Sequence, residues 1–97
     1  MSIVRIIQTT FPPDQAATAE RNWREHCAPL MIRQPGCLFE VLLRNQQNPG
    51  EYISYSEWDR EDSIKAYLAS EDHQEIKRHN RNIVGAQVVV KQYERVG

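Results

Sequence analysis

Two of the four strand-like segments in this chain are apolar at almost every position, and that property limits what the chain can fold into. Cys37 to Asn45 sets Cys37, Phe39, Val41 and Leu43 against Leu38, Glu40, Leu42 and Arg44, and both sets are largely apolar. Ile83 to Glu94 repeats the pattern with Val88-Val89-Val90 and Tyr93. Successive side chains of a strand point to opposite faces of its sheet. A strand apolar on both sides must therefore be covered on both.

The rest of the chain supplies cover for one face. Ser2 to Phe11 holds Ile3, Val4, Ile6, Ile7 and two threonines, a β-branched strand composition, and Pro12-Pro13 ends it. Pro13 suits the first turn of a helix and Asp14 its electropositive N-terminus. From Asp14 to about Arg33, Ala16, Ala19, Trp23, Cys27 and Leu30 recur at three- and four-residue steps and form one apolar helical face. Pro29 is predicted to kink this helix or end its regular part early, and Gln34-Pro35-Gly36 stops it. Gln46 to Gly50 is a turn-rich connection, after which Glu51 to Asp59 returns with Tyr52, Ile53, Tyr55 and Trp58 as the second arm of an antiparallel hairpin. A second helix, capped by Asp59 or Asp62, turns Ile64, Tyr67, Leu68 and Ile76 inward, with a break or bend around Ser70-Glu71-Asp72.

The order β-α-β-β-α-β is the split βαβ arrangement, an α+β ferredoxin-like fold. It predicts a four-stranded antiparallel sheet with both helices on one face. Ninety-seven residues suffice for one domain, 1–97, without a second core. Such a domain buries only about two-thirds of the surface of its unfolded chain, so it gains by hiding an apolar face against a second copy. Two sheets packed face to face in a two-fold homodimer are the simplest closed solution. The other reading leaves the second face as tolerated, exposed Val and Leu.

Composition excludes several function classes. A formal charge of −1 gives no footprint for nucleic acid, and the basic Lys77, Arg78 and Arg81 sit beside Glu71, Asp72 and Glu75 as on a solvated helix face. Cys27 and Cys37 are too few for a disulfide framework and lack metal spacing; two reduced thiols are expected, a disulfide requiring close Cα atoms. No apolar run approaches the ~20 residues that span a bilayer, and the N-terminus lacks the pattern of a leader, so no membrane association and a cytoplasmic location are expected.

Gln34-Pro35-Gly36-Cys37 before the second strand, Tyr55-Ser56-Glu57-Trp58 ending the third, and Ile64-Lys65-Ala66-Tyr67-Leu68-Ala69-Ser70-Glu71-Asp72-His73 resemble, in that order, the antibiotic biosynthesis monooxygenase (ABM) family of dimeric α/β-barrel proteins. The likeness covers nearly the whole chain. It implies two subunits sharing a barrel, with a pocket in each between sheet and helices. It also implies a family that includes monooxygenases working without a cofactor on phenols or quinols, where the deprotonated substrate supplies the electrons. The protein then supplies a base, hydrogen bonds for the anion and a dry pocket.

The candidates for that work are His73 and Tyr67 as catalytic residues, with Trp58, Trp23, Glu57 and His79 as substrate-binding residues. His73 matches the family's histidine after the helical serine, and imidazole titrates nearest neutrality; it reads equally as a surface histidine beside Asp72 and Gln74. Tyr67 stands where the family often has His or Trp, and reads also as a core aromatic. Six positions separate the two, so they converge only if the chain bends near Ser70. Trp58 and Trp23 serve a core or a pocket alike. Glu57 and its neighbour Trp58 point to opposite faces of their strand, so at most one lines a given pocket. His26 and His79 lie on charged helices, solvated by default, and no pair has the spacing of helical metal ligands, so no metal is expected.

The family's haem-degrading branch places an asparagine, a tryptophan and a histidine where this chain has Ile7 (or Gln8), Tyr67 and Lys77, with His79 two places off. A protonated lysine is no axial ligand without a large pKa shift. No cofactor is expected. The alternatives to a monooxygenase are a non-catalytic dimeric barrel that binds a small ligand and, behind it, a haem-binding or haem-degrading protein with His79 as the ligand if the register slips.

Overall fold

The computed structural model describes residues 2–80 and 87–97. The expectations for Arg81 and for a strand starting at Ile83 lie outside them. β1 (Ile3–Thr10) is flanked by β3 (Glu51–Trp58) and β4 (Gln87–Glu94), with Ile6 opposite Tyr55 and Ile7 opposite Val90. β2 (Cys37–Arg44) closes the hairpin onto β3, and the antiparallel sheet runs β2-β3-β1-β4. This is the ferredoxin-like order expected from the sequence.

β2 departs from simple alternation. A bulge between Cys37 and Phe39 lets Trp58 face Cys37 and Glu57 face Phe39, leaving Leu38 as the extra residue. Cys37 therefore packs with the core under the helices while Phe39 lies on the other face, half exposed. The expected set of Cys37, Phe39, Val41 and Leu43 is split at its first member.

The first helical region begins with a 3₁₀ turn at Pro13–Gln15 and continues as α1 (Ala16–Asn22), a π turn (Trp23–Cys27) and α2 (Ala28–Ile32). Within a regular helix, the ring of Pro29 meets the carbonyl four residues back. Here the Ala28 N–H reaches back to the Trp23 carbonyl, widening the turn just ahead of the proline. The irregularity thus precedes Pro29, and the helix carries on through it.

Two glycines make close turns. Gly36 has φ +87°, and a Cβ there would run into the side chains of Ser63 and Asp59; its carbonyl accepts the Asp59 N–H at 2.9 Å. Gly50 has φ +91°, and its carbonyl accepts the Phe11 N–H at 2.8 Å, pinning the hairpin end to the end of β1.

The second helical region is two helices, α3 (Glu61–Leu68) and α4 (Glu71–Asn80). Arg60, not Asp59 or Asp62, occupies the N-cap of α3, and no side chain caps it. Glu61 and Asp62 instead place negative charge in the first turn, where the helix dipole favours it. Arg33 clamps Asp72 through Nε and Nη2 at 2.9 and 2.6 Å, and Gln34 Nε2 adds a bond of 2.6 Å, so the end of α2 is tied to the start of α4.

Trp58 is 0% exposed and centres a core with Ile64, Tyr67, Ile76, Met31 and Cys27. All of it lies on the helix-covered side of the sheet. On the opposite face Phe39, Leu43, Val89 and Tyr93 are each about half exposed. β4 is exposed at every position, so within one chain its expected double cover is missing.

Candidate functional site

The break between α3 and α4 does the most to shape the site. The Ser70 hydroxyl donates to the Tyr67 carbonyl at 2.6 Å and accepts the His73 N–H at 3.1 Å, ending one helix and capping the next. This brings the Tyr67 and His73 rings edge to face with centroids 5.0 Å apart. The convergence that the sequence made conditional on a bend at Ser70 is present.

Both rings line a cavity of about 360 Å³ between the sheet and the helices. Its floor is the helix-facing row of β1 (Arg5, Ile7, Thr9), with Ser54 of β3 and Val88 and Val90 of β4. Its walls are Ala19, Asn22, Trp23, Cys27 and Met31 on one side, and Ile76, Lys77 and Asn80 on the other. Asn22 Nδ2 donates to Asn80 Oδ1 at 2.7 Å and joins the two walls. This volume falls in the range of small-molecule sites, and the lining is mainly apolar with a few convergent polar groups.

His73 Nδ1 is buried and has no hydrogen-bond partner among the described residues. Burial pushes the imidazole pKa down, helped by the positive charge of Lys77 and opposed by a hydrogen bond to the Leu68 backbone, and this favours the neutral ring, which can accept a proton. Burial also pushes the Tyr67 phenol up, keeping it protonated as a donor. The Cys27 thiol is raised to about 11 by its desolvation, which makes it an inert wall and not a nucleophile. Cys27 and Cys37 are both free.

The other sequence candidates fall in different places. Trp23 lines the cavity, and its buried Nε1 has no partner among the described residues. Trp58 does not line it: the indole lies in the core, stacked on Tyr67 at 5.3 Å, its Nε1 donating to Ser56 Oγ at 2.9 Å. Glu57 is on the opposite sheet face, held by Ser2 Oγ at 2.8 Å and Arg95 Nη1 at 3.0 Å, because alternation along β3 turns it away from the helices. His79 also lies outside the lining. Its ring stacks on His26 at 4.1 Å and its Nε2 sits 3.1 Å from Glu75 Oε1. Lys77, two positions earlier on α4, takes the inward place instead. Among the described residues no group of three His, Cys, Asp or Glu side chains is arranged to hold a metal ion, and no helix is long and apolar enough to cross a membrane.

Three polar residues of this layer went unnoticed in the sequence: Arg5, Glu40 and Ser54. Arg5 is 8% exposed on the central strand. Glu40 lies on the helix-facing side of β2, where Ser54 Oγ donates to its Oε1 at 3.3 Å and Oε2 has no partner among the described residues. Burial raises its carboxyl to about 8. The available signal is positional: Arg5 takes the place of an apolar residue in the series Ile3, Arg5, Ile7, Thr9, and Glu40 does so between Leu38 and Leu42.

Solved structures similar in fold include SnoaB, a cofactor-independent oxygenase from Streptomyces nogalater. It is 17% identical with a TM-score of 0.77, over 99% of this chain and 94% of that one. PA3566 from Pseudomonas aeruginosa is similar at 21% identity and TM-score 0.82, covering 99% and 95%. A conserved protein from Methanosarcina mazei Go1 is similar at 14% and 0.85, covering 99% and 94%. At these identities the likeness is one of fold. No curated protein matches the chain. The model of one family, antibiotic biosynthesis monooxygenase, matches residues 2–79, most of the chain and all of the site but Asn80 and its β4 edge. The chain belongs to the antibiotic biosynthesis monooxygenase family.

Proposed function

We propose that this protein is a cofactor-independent monooxygenase acting on a small aromatic phenol or quinol, and that it works as a homodimer closed over the bare sheet face. The observation that carries the reading is the Ser70 bend. It sets a neutral His73, with Nδ1 unpartnered among the described residues, beside Tyr67 on the wall of an apolar cavity. SnoaB, similar in fold, bears the name of an oxygenase of this kind.

In this reading His73 Nδ1 takes the proton of the bound phenol. The resulting anion gives its electrons to dioxygen, and a carbon–oxygen bond forms to a ring hydroperoxide. The imidazolium returns its proton to the peroxide, which loses water and leaves the oxidised ring: quinol plus dioxygen gives hydroxyquinone plus water. Tyr67 donates a hydrogen bond to the oxygen that becomes anionic, and the ring of Trp23 packs against the substrate. The apolar walls exclude water that would quench the anion.

The test is oxygen uptake under air with a panel of hydroquinones and anthrones, followed together with substrate loss. Uptake equal to substrate consumed, reduced roughly 10²- to 10⁴-fold in His73→Ala, is the expected result. Binding of the same compounds without any uptake would make the protein a ligand-binding barrel instead.

A further inference from the structure

Arg5 does not fit an ordinary sheet interior. It lies on the central strand, faces the helices, lines the cavity and is 8% exposed. Among the described residues every ion pair lies elsewhere, on Arg24, Arg33, Arg44, Arg78, Arg95 and two histidines. A buried guanidinium without a counter-charge is costly, and a bound anion offsets that cost.

The surroundings favour an anion in three ways. Lys77 adds a second positive charge to the lining, and among the described residues no Asp or Glu is part of it. Tyr67 and then Glu40 are the acids that act on Arg5, but Glu40 makes no ion pair with it, and burial pushes the pKa of both acids up. The Trp23 Nε1–H is a further donor with no partner among the described residues. Beside these groups, Ile7, Met31 and Ile76 provide an apolar bed for a ring.

We propose that the ligand of this cavity carries a carboxylate as well as its aromatic body, and that the Arg5 guanidinium receives the carboxylate. The two parallel N–H groups of a guanidinium match the two oxygens of a carboxylate, whereas a lone phenolate oxygen uses half of that fork. This names the substrate class of the cavity assigned above to the monooxygenase and rests on that assignment only for the turnover of such acids. Binding can be read without oxygen.

The experiment is isothermal titration of the full chain under nitrogen with 1-naphthoate, 1-naphthamide and 1-naphthol. The acid is expected to bind at least about ten-fold more tightly than the amide of the same shape. Arg5→Gln is expected to lower its affinity roughly 10- to 100-fold and to leave the amide nearly unchanged. Arg5→Lys, which keeps the charge and loses the fork, is expected to fall between, and it stands in if Arg5→Gln does not fold. Equal affinities for acid and amide in the wild type, or an acid preference that survives both substitutions, overturn the proposal. Acid-selective binding with no oxygen uptake on any compound leaves this inference standing and removes the monooxygenase. Uptake on neutral quinols with no preference for acids does the reverse.

Discussion

The sheet face under the helices holds Arg5, Glu40, Ser54 and Ser56 among its aromatic and aliphatic residues, whereas the bare face presents Phe39, Val41, Leu43, Ile53, Tyr55 and Val89. On the bare face Glu57 is at the end of its strand, paired with Arg95, and Lys91 is on an edge strand. In the single chain two ionisable groups, Arg5 and Glu40, lie within an otherwise apolar layer under the helices, while large apolar residues lie outside on the bare face. The two faces have different tasks. Polar groups under the helices shape and charge a cavity. The middle of the bare face is largely apolar, with polar residues such as Thr10, Glu51, Glu57 and Lys91 towards its rim, and that apolar area gains free energy only when a second molecule covers it.

Charging the bare face is the strongest way to break this contrast. Leu43→Asp combined with Val89→Asp is expected to keep the secondary structure and to weaken self-association at least about 10³-fold, since two-fold symmetry repeats each buried carboxylate. Sedimentation velocity over a dilution series would show it, and an unchanged dimer would place the interface elsewhere. Next in size, Trp58→Ala on the helix side should cost about 3–5 kcal/mol of unfolding free energy in urea. Tyr55→Ala on the bare face, measured at concentrations where the wild type is monomeric, should cost far less, and similar losses would erase the distinction between the faces.

The smallest effect is a pH dependence that belongs to the inner face alone. The Glu40 carboxyl is raised to about 8 in the folded protein, so the folded state holds its proton more tightly than the unfolded chain does. Between the ordinary carboxylate range and about pH 8 only the unfolded chain releases that proton, and stability falls as pH rises through this window. Glu40→Gln should remove a loss on the order of 1–3 kcal/mol between pH 5 and 8. Parallel stability curves for wild type and variant would show that the carboxyl is not held neutral.

The element order and the sheet were legible because they rest on periodicity and punctuation: Pro12-Pro13, Gln34-Pro35-Gly36 and Asn48-Pro49-Gly50 fall where elements end. The meeting of Tyr67 and His73 was legible only as a condition, since six positions separate them and a continuous helix would hold them on different faces. The placement of Glu57 was half legible: alternation separates it from Trp58, but only the finished sheet says which face the helices cover. The bulge at Leu38 left no trace, because Cys37, Leu38 and Phe39 are all apolar and alternation counted across them cannot reveal a slip. Arg5 and Glu40 were hidden for the opposite reason. Charged residues in a strand read as solvent-facing until its neighbours on both sides are known.

The π turn ahead of Pro29 has a geometrical consequence. Ala19, Trp23, Cys27 and Met31 are spaced by four, and all contribute to the same wall of the cavity. In an unbroken α-helix each four-residue step overshoots a full revolution by about 40°, so the last of them would be about 120° out of phase with the first. The wider turn at Trp23–Cys27 unwinds the helix locally and takes back most of that drift. One residue lost from the solvent-facing side of this turn, such as Arg24, would let a regular helix form. Ala19, Trp23, Cys27 and Met31 would then follow one another at steps of four, three and four. A regular helix holds such residues within about 60° of one another, so the wall survives and only the wide turn is lost.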